Sequence, residues 1–364
     1  MKEKSDFTQD KNFFILNAMD DWVRIVDIDG KTIFINDAFK EASQKSEELT
    51  SYIKENSSFL ISARNEAIRH TTMIEEKLID DRYFSIKTSP MYNGGEFLGL
   101  VEVYRDITRE SLMKIELFNT NRSMLDDVRF VKKIQTNILP KSKTYGKISL
   151  KSKYIASDDL SGDFFDIIKI DPSRYAIYIA DIMGHGVKAS IMTMFIKVTM
   201  EAILDKHPTY SPSQIFFKLR DRFQALGMET SQYFTAWLGI FDFDKNILTF
   251  SNAGHNCPPL FYSKDKDRVD YLLVSGRMIS NIIEPDNYEE KMVDLSYGDK
   301  ILLFSDGAIE AKNEARKEYG LERLRYKFEA CHDLDLTYKD VKKFTWGKQE
   351  DDISLVQVEY KEIL

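Results

Sequence analysis

A long stretch with helical spacing, closed by a proline, does most to limit the folds open to this chain. Apolar residues at Leu112, Ile115, Phe118, Leu125, Val128, Val131, Ile134 and Ile138 recur nearly all three or four apart, with Asn121 and Arg122 interrupting the stripe. That period buries one face of a helix. Pro140 ends it, because the proline ring disfavours helix for the residue before it. A helical linker over residues 109–140 divides the 364 residues into segments 12–108 and 147–360, each of ordinary domain size. The stripe suits two packings, a short parallel coiled coil with a second copy or a single helix lying on its own C-terminal domain. The sequence leaves both open.

Residues 12–108 read as an α/β unit. Residues 23–27 form a strand, Asp29-Gly30 a tight turn and residues 32–35 the returning strand. Asn36 stands where a helix N-cap belongs, ahead of Asp37-Ala38-Phe39. Residues 83–89 and 97–104 make a second, longer hairpin around Asn93-Gly94-Gly95, while the stretch 43–80 carries no recognisable pattern. Hairpin, helices and long hairpin, with VDIDGKTIFINDAF at 26–39 and GLVEVYRDIT at 99–108, resemble a PAS sensor domain. The segment has no cysteine for a flavin adduct. Its only histidine, His70, reads as an exposed helical residue ahead of a haem ligand. A domain without ligand, used for dimerisation or partner binding, is the simpler expectation.

Strand-like runs dominate residues 147–360, among them 175–180, 235–241, 247–251, 300–304 and 353–359, with helices expected near 187–205 and 212–228. Sheets with helices packed outside them follow, so the chain as a whole is expected to be α+β. The aspartates are the informative residues. Asp163 lies in Ser-Gly-Asp, Asp181 follows an apolar strand and opens Asp-Ile-Met-Gly-His-Gly, Asp306 follows another strand and precedes Gly307, and Asp351-Asp352 precede the last strand. A carboxylate at the end of a buried strand is costly unless a cation or hydrogen bonds neutralise it. One such aspartate is ordinarily a turn or a cap. Four that converge make a hard oxygen site suited to Mg²⁺ or Mn²⁺.

Seven blocks in order resemble the SpoIIE-type branch of the PPM metal-dependent protein phosphatases: KKIQTNILP (132–140), DLSGDFFDI (159–167), ADIMGHGVKASIM (180–192), YFTAWLGIFD (233–242), SNAGHNCPPL (251–260), LLFSDGAIEAKN (302–313) and QEDDISLVQV (349–358). The resemblance implies a β-sandwich flanked by helices, with two divalent ions at one end. It implies Asp163, Asp181, Asp306 and Asp351 as ligands, Asp181 bridging, and the Ile182 carbonyl as a further ligand. Asp181 and Asp306 are the acids on which catalysis is expected to depend. Asp166 and Asp352 are expected as partners behind the ligands, and Gly184, with Gly186 and Gly254, as a residue permitting tight turns. Asn252 either ties the Asn-Ala-Gly-His turn to the site or is a plain turn asparagine. His185 and His255 read as structural imidazoles. Met183 occupies the place where some relatives carry a histidine acid, so no general acid is assigned. A pair of divalent ions can activate water for in-line attack on phosphorus.

The expected activity is removal of phosphate from a phosphoserine or phosphothreonine on a regulatory protein, an anti-sigma-factor antagonist in a stress-response pathway, under control of the sensor. The alternative is a sensor-controlled pseudophosphatase that only binds its partner. A diguanylate cyclase, suggested by SGDFF alone, lacks the acids that should follow. The net charge of −8 disfavours nucleic acid as partner. Two cysteines without close spacing suit a reducing compartment. With no signal-peptide pattern and no apolar span, the expectation is a cytoplasmic protein without membrane contact. A homodimer through sensor and linker is open to it.

Overall fold

The computed structural model describes residues 12–62, 71–157, 159–184, 186–227, 229, 231–282 and 287–362, and divides into two compact units, residues 1–123 and 124–364. The first begins with a short helix α1 (Asn12–Asn17) and the hairpin β1 (Trp22–Asp27) and β2 (Thr32–Ile35). Helices α2 (Asp37–Lys45) and α3 (Glu47–Ser62) follow, then β3 (Met73–Ile79), β4 (Arg82–Asn93) and β5 (Glu96–Asp106). These strands form one antiparallel sheet in the order β2-β1-β5-β4-β3.

Asn36 organises this unit. Its side-chain oxygen accepts the backbone N–H groups of Val23 and Phe39, and its amide donates to the carbonyls of Leu16, Met19 and Asp21. One fully buried side chain thus caps α2 and fixes the approach of the chain to β1. Trp22, Phe39, Phe84, Ile86 and Tyr104 close the core beside it. Arg24 and Glu102, paired across β1 and β5, form a buried ion pair at 3.2 Å, and the Tyr104 hydroxyl donates to the same carboxylate. At the exit of β5, Asp106 accepts the backbone N–H and the hydroxyl of Thr108, the first residue of α4 (Thr108–Ile138).

The second unit holds two further sheets. Strands β6 (Thr144–Tyr145), β7 (Ile148–Ile155), β8 (Asp163–Lys169) and β9 (Arg174–Ile182) come first, then α5 (Val187–Lys206) and α6 (Pro212–Gln224). After them run β10 (Tyr233–Asp242), β11 (Ile247–Ala253), β12 (Leu260–Ser263), β13 (Arg268–Tyr271), β14 (Ile279–Ser280), β15 (Glu290–Asp294) and β16 (Lys300–Phe304). Helices α7 (Leu321–Cys331) and α8 (Leu334–Phe344) precede the final strand β17 (Ile353–Tyr360). One sheet runs β15-β11-β10-β9-β8, with β14 added to β10. The other runs β13-β12-β16-β17-β7-β6.

Strand alternation explains the layers. On β9, Tyr175, Ile177 and Ile179 face the other sheet with Phe165, Trp237, Ile301, Leu303 and Val356. Ala176, Tyr178 and Ala180 face α5 and α6, against Met192, Ile196, Phe216 and Phe223. The second sheet carries α7 and α8 outside, over Leu302, Phe304 and Leu355. The result is a β-sandwich covered by a helix pair on each face. The helix expected to reach residue 228 ends at Gln224: Ala225 caps it, and Gly227 turns the chain at φ +62°. Among the described residues, no helix is long and apolar enough to cross a membrane.

Candidate metal centre

Both sheets deliver carboxylates to one end of the sandwich. Asp163 opens β8 and Asp181 lies near the end of β9, and the two are direct antiparallel partners. Cross-strand partners put their side chains on one face, here the face turned toward the other sheet. Asp181 was expected just beyond its strand; it is paired within it, with Asp163 on one side and Thr235 on the other. From the second sheet, Asp306 sits in the turn after β16, and Asp351-Asp352 stand before β17. Strands β16 and β17 are neighbours, so these ends meet.

Two glycines let the backbones close up. A Cβ on Gly162 would stand 2.7 Å from the Ile182 carbonyl oxygen and 2.9 Å from that of Gly184. On Gly307 it would stand 2.1 Å from the Asp352 carbonyl oxygen. No side chain fits either place, so each glycine next to an aspartate marks a close crossing rather than a flexible turn.

A cavity of about 440 Å³ opens there, lined by Asp163, Asp181, Ile182, Gly184, Asp351, Asp352 and Lys348 among others. Asp352 is buried and committed: its carboxylate accepts the Ser157 N–H and hydroxyl at 2.7 and 2.9 Å and the Gly162 N–H at 3.0 Å. Asp351 is more exposed and accepts the N–H of Asp352. Ser354 donates to Asp163 at 2.8 Å. Burial, and next the charges of Asp306, Asp351, Asp352 and Glu310, push the Asp181 carboxyl up to about 7. Asp163 is raised well above the usual carboxylate range by burial and by Asp181, against the opposing hydroxyls of Ser305 and Ser354. Asp351 is raised by burial too, with Asp306 adding to it. The donors are therefore hard carboxyl oxygens short of compensating positive charge, the chemistry that takes Mg²⁺ or Mn²⁺. Among the described residues, no three His, Cys, Asp or Glu side chains stand close enough to hold one ion as they lie.

Asp166 is not brought to this site. Three residues from Asp163, it points through the opposite face of β8, where Lys197 of α5 donates to it at 2.6 Å. Asn252 braces the turn that follows it: its oxygen accepts the His255 N–H at 2.8 Å, and its amide donates to the carbonyls of His255 and Val274. It does not line the cavity. His255 is held between sheets, Nε2 at 3.1 Å from the Phe304 carbonyl and Nδ1 at 3.4 Å from the Thr235 hydroxyl. Those partners adjoin Asp306 in sequence and Asp181 in register. Burial lowers the imidazole to about 4, so it is neutral near pH 7. His70 and His185 lie outside the described residues.

Residues 171–361, more than half of the chain, match the family model described as Stage II sporulation protein E (SpoIIE), and the protein belongs to that family. The match begins after Asp163, whose placement rests on the register of β8 and β9. Among relatives, phosphoserine phosphatase RsbU of Bacillus subtilis (strain 168) is 31% identical over 169 residues, 46% of this chain and 47% of RsbU. Phosphoserine phosphatase RsbP of the same organism is 27% identical over 197 residues, 53% of this chain and 46% of RsbP. The chain thus spans about half the length of each. The SiaA-PP2C domain of Pseudomonas aeruginosa superposes with a TM-score of 0.58 at 20% identity, covering 66% of this chain and 99% of that domain. The second unit therefore has the PP2C-like phosphatase fold.

Proposed function

We propose that the protein is a sensor-regulated, metal-dependent protein serine/threonine phosphatase acting on a phosphorylated regulatory protein, of the anti-sigma-factor antagonist kind, in the cytoplasm. The observation that carries this is the set of under-compensated carboxylates from both sheets around one cavity, in a family whose relatives RsbU and RsbP are named phosphoserine phosphatases. Asp163, Asp181, Asp306, Asp351 and the Ile182 carbonyl would hold two divalent ions, Mn²⁺ or Mg²⁺. Such a pair lowers the pKa of water and neutralises phosphoryl oxygens.

The chain's own residues set that geometry. Asp181 stands between the acids of the two sheets. Ser354 fixes the Asp163 carboxylate, and Asp352 holds the Gly162 loop beneath it. His255, neutral and held by the Phe304 carbonyl and the Thr235 hydroxyl, links β16, which leads into Asp306, to β10, the neighbour of the strand that bears Asp181. Hydrolysis forms one P–O bond from water and breaks the P–O bond to the serine or threonine oxygen, which leaves as the hydroxyl after taking a proton.

The sensor in this proposal is the first unit, as a PAS-like domain. Its 2-1-5-4-3 strand order, the Asn36 cap and the Asp106–Thr108 exit support that reading. A homodimer through this domain and α4 is part of the proposal, and the exposed Leu112, Phe118 and Leu125 on that helix favour it.

The test is hydrolysis of p-nitrophenyl phosphate and of a phosphoserine peptide with Mn²⁺. Turnover should require the metal and fall in Asp181→Asn and Asp306→Asn by about 100-fold or more, the upper end for outer partners of metal sites. A chain that neither turns over these substrates nor binds Mn²⁺ or Mg²⁺ in a titration is a binding module instead.

A further inference from the structure

Lys348 is the only lysine or arginine lining the carboxylate cavity among the described residues. It follows Gly347, whose φ of +77° turns the chain between α8 and β17. Both sides of it are tethered. The Trp346 N–H donates to the Lys312 carbonyl at 2.9 Å, and the Gln349 amide donates to the Ile155 carbonyl at 3.0 Å. The Lys348 backbone is therefore held at the rim, whereas its side chain has no hydrogen-bond or ion-pair partner among the described residues. The neighbouring cations are engaged: Lys312 and Arg316 both pair with Glu350, at 2.6 and 3.2 Å. A second, smaller cavity of about 40 Å³, lined by Gly307, Glu310 and Trp346, shares Lys348 and Asp351 with the first.

We propose that Lys348 is the residue that receives the phosphoryl group of the substrate, its ammonium donating to phosphate oxygens over the Asp181–Asp351 cavity. This rests on the phosphatase reading above. Four ligand carboxylates and two divalent ions cancel in charge, so a phosphomonoester dianion entering the cavity needs a further cation. Among the described residues, Lys348 is the one cation lining the cavity with its charge unmatched. An exposed lysine on a tethered backbone suits this role. It reaches an incoming anion without reorganising the metal ligands, and it is a point charge without preference for one face of the phosphate. Because it meets the same dianion in substrate and in product, it acts on binding more than on the bond-breaking step.

The experiment compares wild type, Lys348→Met and Lys348→Arg in the full chain loaded with Mg²⁺. Calorimetry with inorganic phosphate, in the presence and absence of Mg²⁺, stands beside steady-state hydrolysis of p-nitrophenyl phosphate. A charge-assisted hydrogen bond is worth about tenfold or more in affinity. Lys348→Met should therefore weaken phosphate binding and raise KM by about that factor, with kcat little changed. Lys348→Arg should keep most of both, and the thermal shift produced by Mg²⁺ should be the same in all three proteins. Equal KM and equal phosphate affinity in Lys348→Met and wild type would overturn the assignment. So would a fall in kcat together with loss of the Mg²⁺ shift, which would place Lys348 behind Asp351 instead. A wild type that neither hydrolyses the ester nor binds phosphate with Mg²⁺ overturns the phosphatase reading itself, a result distinct from the other two.

Discussion

Replacing Asp181 by asparagine should stabilise the metal-free protein at alkaline pH while abolishing its response to metal. Burial and four neighbouring acids raise the Asp181 carboxyl from its ordinary 3.8 to about 7. A folded-state value above the unfolded one means that the folded chain holds this proton more tightly. The cost of ionising it is absent below pH 4, develops between pH 4 and 7, and is complete above pH 7. A rise of that size corresponds to about 4 kcal/mol at most. Relaxation of the neighbouring side chains and water entering the open cavity reduce it, and about 2 kcal/mol is the expected effect. No hydrogen bond to the Asp181 side chain is lost in the exchange, because it has none among the described residues. For a unit of this length the gain in Tm is about 4–8 °C. The assay is scanning calorimetry in chelator at pH 5 and pH 8, followed at the transition that Mg²⁺ shifts in wild type. Asp181→Asn should melt higher than wild type at pH 8, do so by less than half that margin at pH 5, and show little shift with Mg²⁺. A metal-free Asp181→Asn no more stable than wild type at pH 8, or equally more stable at both pH values, refutes the reasoning.

Two further outcomes concern residues outside the candidate ligand set. Asn36→Ala removes an N-cap and leaves the N–H groups of Val23 and Phe39 and three carbonyls to find other partners. It should cost the first unit about 2–4 kcal/mol in urea unfolding, and a loss under 1 kcal/mol would mean that water replaces the amide. His255→Gln should lower kcat and cost about 1–3 kcal/mol of stability. The shape of the pH–rate profile between pH 5 and 8 should not change, because burial already keeps this imidazole neutral there; a limb of the profile lost in the variant would make His255 a titrating participant.

How much of this was legible in the sequence depended on whether neighbours in space were neighbours along the chain. The Asn36 cap, the hairpin turns and the end of the linker helix are local, and local chemistry announces them. The aspartates at strand ends were visible for the same reason, whereas the close backbone crossings at the adjoining Gly162 and Gly307 depend on residues distant in sequence and were not. Asp166 was misplaced because β8 is buried on both faces: Phe164 and Phe165 are both apolar, and no alternation marks which face looks toward the other sheet. The stretch 43–80 was opaque partly because β3 is an edge strand with almost every residue exposed. Its Glu75-Glu76-Lys77 reads as loop. Lys348 gave no signal at all, since its position at the rim comes from tethers to Lys312 and Ile155, far away in sequence.

The centre belongs to neither sheet alone. Asp163 and Asp181 are fixed to each other by strand register, and Asp306 and Asp351 by the pairing of β16 with β17. Nothing in either register sets the distance from one pair to the other. That distance comes from sheet-on-sheet packing, about 10 Å in a sandwich, and at this end it is tied by few groups: Ser354 to the Asp163 carboxylate, the Tyr154 hydroxyl to the Asp163 carbonyl, Asp352 to Gly162, and His255 between Thr235 and Phe304. A change of a few tenths of an ångström across these ties would alter how well the proposed ion pair bridges the sheets while leaving every candidate ligand in place. Under the proposed function, two states of this protein need therefore differ only in how its sheets meet at that end, and a signal has to favour one of those packings to change the activity. Among these ties, His255 reaches both sheets through a backbone carbonyl and a hydroxyl, with no candidate ligand as its partner. Loosening it should weaken metal affinity and activity together, whereas loss of Lys348 should weaken phosphate binding alone.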